Sequence, residues 1–167
     1  MSSSAITIIV SLGAINWFIF ESMWAKSKLK NGYRIYSAPK GLKLLGLVGI
    51  PVFVYGTVAN WIENPHEKWV SAILFTMAAL FVYFFPPTIL LSRQKVISIQ
   101  WLGFKRVEMN WNDIDAIYSS PENRAVIIQD KNQNRIIHTI LNVDRDGFIA
   151  ELKIASQAAS GKITFQL

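Results

Sequence analysis

Three long apolar runs fill most of the first half of the chain and limit what it can fold into. They are AITIIVSLGAINWFIFESMWA (Ala5–Ala25), LKLLGLVGIPVFVYGTVANWI (Leu42–Ile62) and WVSAILFTMAALFVYFFPPTILL (Trp69–Leu91). The third carries no charge over 23 residues. As a straight helix it would reach about 34 Å, enough to cross a hydrocarbon layer of roughly 30 Å. The first run lacks a basic leader and a small-residue cleavage site, so a removable signal peptide is not expected. Three transmembrane helices are therefore expected, over residues 5–25, 42–62 and 69–91. Pro86-Pro87 should bend or end the third. Trp24, Trp61 and Trp69 fall at the expected span ends, where amphipathic rings favour the interface.

The second run contains Gly46, Gly49, Gly56 and Pro51, which weaken a helix in water but suit one packed in a membrane. Gly49 and Gly56 lie seven residues apart and share a helix face. Together with the polar Asn16 and Asn60, they are candidate helix–helix packing positions.

The charges between the runs are lopsided. KSKLKNGYRIYSAPKGLK holds six cations (Lys26, Lys28, Lys30, Arg34, Lys40, Lys43) and no carboxylate. Short loops rich in lysine and arginine stay cytoplasmic. The intervening ENPHEK holds two glutamates and one lysine and should lie outside. Arg93 and Lys95 return the chain to the inside, and the neutral N-terminus then lies outside. The net charge of +6 and the pI near 9.7 thus point to membrane topology and not to nucleic acid. The basic segment can also contact anionic headgroups or a protein partner.

From residue 92 the periodicity changes. KVISIQW alternates, a turn at Gly103 follows, and KRVEMNW alternates again with Val107, Met109 and Trp111 on one face. IDAIYSS, RAVIIQD and RIIHTIL continue the pattern between turn residues. Asp144 or Asp146 can cap a helix reaching Ser160, with Phe148, Leu152 and Ala155 on one stripe. The expectation is a domain over 92–167 with about five antiparallel strands and one C-terminal helix, behind a transmembrane region over 1–91.

This order, and the stretch SRQKVISIQWLGFKRVEMNWNDIDAI with its Trp-x-Asp-Ile step at Trp111–Ile114, resembles the bacterial pleckstrin-homology-like (bPH) family of membrane proteins. The resemblance spans roughly residues 91–160. It implies a shortened α+β PH-like domain on the cytoplasmic side of the bacterial inner membrane.

Catalytic and metal chemistry find no pattern here. The sequence has no cysteine, which excludes thiolate sites and cysteine nucleophiles. Its two histidines, His66 and His138, are expected on opposite sides of the membrane. Asp113 and Asp115 share a strand face but more simply form a solvated edge. Asp144-Arg145-Asp146-Gly147 lacks the later glutamate of a calcium loop. No phosphate loop or nucleophile elbow occurs, and no cofactor or metal is expected. The aromatic–basic turn of Trp101, Phe104, Lys105 and Arg106 joins the basic segment as a candidate contact for anionic lipid or a partner. The expected role is a non-enzymatic multi-pass protein that presents a binding or scaffolding domain to a cytoplasmic protein or lipid surface. The alternative is an accessory or assembly subunit of a larger membrane complex. Membrane lipids and another protein are the expected partners, and a homo-oligomer is compatible with both readings.

Overall fold

The computed structural model describes residues 13, 17, 21, 24–63, 66, 68–100, 103–120, 124–158 and 163–166. The chain divides into two compact units. One is helical (residues 40–85), and the other joins residues 1–39 to 86–167.

The helical unit is a pair of helices, α1 (Lys40–Glu63) and α2 (Lys68–Phe84). Small residues let them approach. A Cβ at Gly46 would lie 3.0 Å from the Phe85 ring and 3.3 Å from Phe81. One at Gly56 would rest 3.5 Å from Leu74. Buried Ser71 links the pair by donating to the Thr57 carbonyl (3.1 Å) and accepting from Asn60 Nδ2 (3.0 Å). Hydrogen bonds of this kind hold apolar helices in register where a hydrophobic driving force is missing.

Among the described residues the second unit has nine strands in two sheets. The first sheet runs β1 (Lys28–Lys30), β2 (Tyr33–Tyr36), β3 (Thr88–Leu91), β4 (Lys95–Gln100) and β5 (Lys105–Asn110), each antiparallel to the next. A 3₁₀ turn at Trp111–Asp113 leads into β6 (Ile114–Ser120). β7 (Ala125–Asp130) and β8 (Arg135–His138) follow by antiparallel pairing. Helix α3 (Arg145–Ala158) comes next, and β9 (Thr164–Gln166) joins the far edge of β6 in parallel. Alternating burial on β3, β7 and β8 aims one face of each strand inward. Tyr36, Ile89, Val96, Met109, Trp111, Ile117, Val126, Ile128 and Ile136 from both sheets meet Phe148 and Leu152 of α3 in one core.

Several expectations are corrected. Among the described residues only α1 is long and apolar enough to cross a membrane, so three transmembrane helices are not found. Most of the first run, Asn16 included, lies outside the described residues; Gly13, Trp17, Glu21 and Trp24 are helical. The third run is not one helix. It stops at Phe84, and Thr88–Leu91 form β3. Proline removes a helix donor and pushes the residue before it into extended conformation, and Pro86-Pro87 does both. The expected five strands gain four more, because the basic segment is itself a hairpin (β1 and β2) and Thr88–Leu91 and Thr164–Gln166 add one strand each, while the 3₁₀ turn at Trp111–Asp113 divides the strands into two sheets. Asn31 (φ 52°) and Gly32 (φ 76°) both sit in the left-handed region, as a two-residue type I′ turn requires.

Candidate functional site

The helical unit is inserted between two neighbouring strands. β2 leads into α1, α2 leads into β3, and β2 pairs with β3 through Tyr36 opposite Ile89 and Arg34 opposite Leu91. Both connections therefore leave the sheet unit at the same end. This register separates that insertion end, near Tyr36, Thr88 and the β4–β5 turn, from an opposite end at the β1–β2 and β3–β4 turns.

Three consecutive residues staple the insertion end. Asn142, in the loop before α3, donates from Nδ2 to the Pro87 carbonyl at 2.6 Å. Its own Oδ1 is held by the Thr139 amide and hydroxyl at 2.9 and 3.0 Å. The Val143 amide donates to the Ser37 carbonyl at 3.0 Å. Asp144 accepts from the Ser27 amide (2.9 Å) and hydroxyl (2.6 Å), with Lys26 Nζ at 3.5 Å. One short loop thus grips the chain after the first apolar run, before α1 and after α2. Asp144 is buried and takes φ 59°. Burial pushes its carboxyl pKa up, but the bonds from Ser27 and the Lys26 charge outweigh this and hold it below the ordinary value.

Behind the staple lies His138, with no exposed surface. Its ring stacks on Phe148 at 4.3 Å and meets the edge of Tyr36 at 5.9 Å. Its Nε2 lies 3.3 Å from the Val143 carbonyl, and Nδ1 has no hydrogen-bond partner. Burial, with a smaller contribution from Arg145, pulls its pKa down to about 4 against the effect of the Val143 carbonyl. At neutral pH it is an uncharged core residue.

The opposite end carries a cleft of about 550 Å³. Leu29 and Arg34 of the hairpin, Arg93 of the β3–β4 turn, and Glu151 and Ile154 of α3 line it. Leu29 is 74% exposed and Ile154 64%. Arg34 crosses the cleft to Glu151 at 3.0 Å. A second hollow of about 570 Å³ shares Arg93 and Ala155 and is floored by Trp111 and Asp113. Trp111 is fixed there by its indole N–H on the Ser92 carbonyl at 2.9 Å. Apolar walls with two guanidinium groups suit an amphipathic or anionic group. The cleft holds no paired base and nucleophile. Among the described residues no cluster of three or more His, Cys, Asp or Glu could hold a metal.

The structure scatters the residues singled out from sequence. Lys26 faces Asp144 and Arg34 faces Glu151. Lys28 and Lys30 are exposed on β1. Lys40 and Lys43 open α1 in the other unit. Lys105 is exposed at the start of β5, and Arg106 bonds Glu108 at 2.8 Å. Asn60 and Gly56 do join α1 to α2, but a Cβ at Gly49 would meet nothing within 4 Å. Sequence reasoning missed Asn142, Val143, Ser27, Arg93 and Glu151. Their partners lie up to 117 residues away, and no local pattern encodes such pairs.

Comparison with protein-family models, curated proteins and solved structures finds no match.

Proposed function

We propose that this chain is a non-enzymatic integral membrane protein whose helical pair anchors a two-sheet binding domain at the cytoplasmic face of a bacterial inner membrane. One observation carries the reading. In the most apolar stretch of α1 only 6% of residues are buried, and Leu44, Leu47, Val52, Tyr55, Ile62, Trp69, Phe75 and Phe84 are all more than half exposed. A helix that serves as a soluble core is mostly covered, whereas an uncovered apolar patch of this extent marks a membrane or partner surface. Strand pairing adds a constraint. Hydrogen-bonded neighbours β2 and β3 stand on one side of any bilayer, so the insertion between them goes in and comes back. At 17 residues, α2 reaches only about 26 Å, which local thinning of the bilayer accommodates.

Kinship with the bPH family is part of this proposal, supported by two sheets closed by a C-terminal helix. The binding role rests on the cleft, whose exposed Arg93 and apolar walls face solvent while Arg34 is paired with Glu151. The accessory-subunit reading is favoured by the polar Asn60–Ser71 link and by the uncovered helix faces, which another membrane protein could cover.

The first test is alkaline carbonate extraction of membranes from cells expressing the full chain. Retention is expected, and release into the supernatant refutes the anchor. The second is labelling of single cysteines by an impermeant reagent from outside intact cells. His66→Cys should react, and Asn132→Cys should not. Stable co-purification of membrane subunits in mild detergent would decide for the accessory role.

A further inference from the structure

The β4–β5 turn carries a feature that the cleft and the staple leave unexplained. Phe104 is 86% exposed, in a domain whose other phenylalanine with described side-chain burial, Phe148, is fully buried. Gly103 takes φ 110° and lets the chain reverse there. Lys105 and Arg106 follow directly, both exposed, with Arg106 also bonded to Glu108.

Strand register fixes where this turn stands. Thr88 is opposite Ile99, and Gln100 is opposite Lys105. The turn therefore projects from the end of the sheet at which β3 receives the chain from α2. Lys28 begins β1 opposite Ile35, in register with Glu108 and so two positions inward of Arg106, whose sheet face it shares. Five strands at about 4.8 Å spacing separate these cations by roughly 19 Å across the sheet. Cations thus stand on both edge strands, Lys105 and Arg106 at the insertion end beside the exposed aromatic ring and Lys28 about 7 Å inward of Arg106 along the strand direction. The cleft, with Arg93 and the Asn31-Gly32 turn, lies at the other end.

We propose that this end is a docking surface for an anionic bilayer, with Phe104 entering the headgroup layer and Lys105, Arg106 and Lys28 facing its charge. The inference rests on the membrane reading, because the same end receives both connections from the apolar helices. An aromatic ring gains by leaving water at the interface, and each basic residue held near an anionic surface adds about 1 kcal/mol. The surface acts locally. It orients the sheet unit on the membrane to which α1 and α2 already tether it.

The sequence has no cysteine, so Phe104→Cys and Asn132→Cys each give a unique attachment point for a fluorophore. Asn132 lies in the β7–β8 turn, whose Lys131 amide donates to the Asp113 carbonyl just beyond the far end of β5, away from the insertion end. The full chain is reconstituted into vesicles of equal parts neutral and anionic phospholipid containing a nitroxide-bearing lipid. Quenching is expected at position 104 and not at position 132. It should weaken in neutral vesicles, and also as salt rises, since the screening length shrinks from about 10 Å at 0.1 M to about 3 Å at 1 M. Adding Lys105→Gln and Arg106→Gln to the 104 label should reduce it in anionic vesicles. Protein that survives carbonate washing yet shows equal quenching at 104 and 132 overturns this inference alone. Equal quenching at 104 in neutral and anionic vesicles overturns the charge requirement. Release by carbonate overturns the membrane reading and this inference with it.

Discussion

Gly147→Ala should change sign according to what stands at position 144. Gly147 lies in the first turn of α3, and a Cβ there would sit 2.6 Å from both Asp144 carboxylate oxygens and 2.7 Å from its carboxyl carbon. That side chain cannot step aside cheaply, because the Ser27 amide and hydroxyl hold it at 2.9 and 2.6 Å. The substitution must break or stretch these bonds. A hydrogen bond to a charged acceptor contributes about 1.5–3 kcal/mol, and two on one carboxylate are not additive. Alanine returns up to about 1 kcal/mol of helix propensity. The net loss is therefore about 1–2 kcal/mol. In an Asp144→Gly background the clash vanishes, and Gly147→Ala should stabilise by up to about 1 kcal/mol. Asp144→Gly itself loses the same bonds but gains roughly 1 kcal/mol from relief of its left-handed backbone. Thermal unfolding of the full chain in mild detergent reads all four corners of the cycle, at about 4 °C per kcal/mol for a unit of this size. Hydrogen exchange at the Ser27 amide should accelerate in each single variant. If Gly147→Ala lowers the midpoint equally in both backgrounds, the staple is not what the alanine disturbs.

Acidification should weaken the sheet unit through His138. His138 has a folded pKa of about 4 against an ordinary value near 6.5, so the unfolded chain takes up the proton first. Stability is full above about pH 6.5 and falls by about 3 kcal/mol as pH drops to 4. His138→Phe should flatten midpoint against pH in that window, and an unchanged slope would refute the assignment. The Asp144 contribution has the depressed-carboxylate form. It is present above the ordinary carboxylate range and lost only as pH falls through the lowered folded value. Trp111→Ala, which empties a core site and frees the Ser92 carbonyl, should cost about 3–5 kcal/mol in the same melt. A loss below about 1 kcal/mol would place the ring at the surface. Gly46→Val should disturb α1 against α2 and speed proteolysis of that unit, because its first added carbon already lies 3.0 Å from Phe85. Gly49→Val, where a Cβ meets nothing within 4 Å, should not.

The errors in reading the sequence have specific physical sources. Thr88–Leu91 reads as the tail of an apolar helix because a strand buried in a sheet and a helix end look alike over four residues. Only the paired prolines marked the change. The hairpin at Lys28–Tyr36 was legible in principle. Asn-Gly between alternating residues is the strongest short-range hairpin signal, but six cations drew the reading toward a surface loop. By contrast, the stripe of Phe148 and Leu152 placed α3, whose range is Arg145–Ala158, since four-residue spacing is a local property of helices. The cleft and the staple were not legible. The staple exists only where the loop before α3 meets Ser27, Ser37 and Pro87, and the cleft only where the β1–β2 hairpin, the β3–β4 turn and α3 converge; pairing of segments over 50 residues apart has no signature in a single chain.

The basic segment therefore serves two purposes that the sequence presents as one. Lys26 closes the staple with Asp144, and Arg34 spans the cleft to Glu151, so these cations stabilise the fold. Lys28 and Lys30 stay exposed on β1 and keep the positive surface at the hairpin. The two ends of the sheet are also electrically separate. β4 runs from Lys95 to Gln100, and those six residues extend about 17 Å at 3.3 Å per step. That is roughly twice the screening length of about 8 Å at physiological salt. A bilayer contacted at Phe104 would leave Arg93 at the other end of the strand almost outside its surface potential. On the proposed docking the cleft would face bulk solvent, and a partner there would meet Arg93 and the apolar walls. Anchoring and recognition can operate on one small domain without competing.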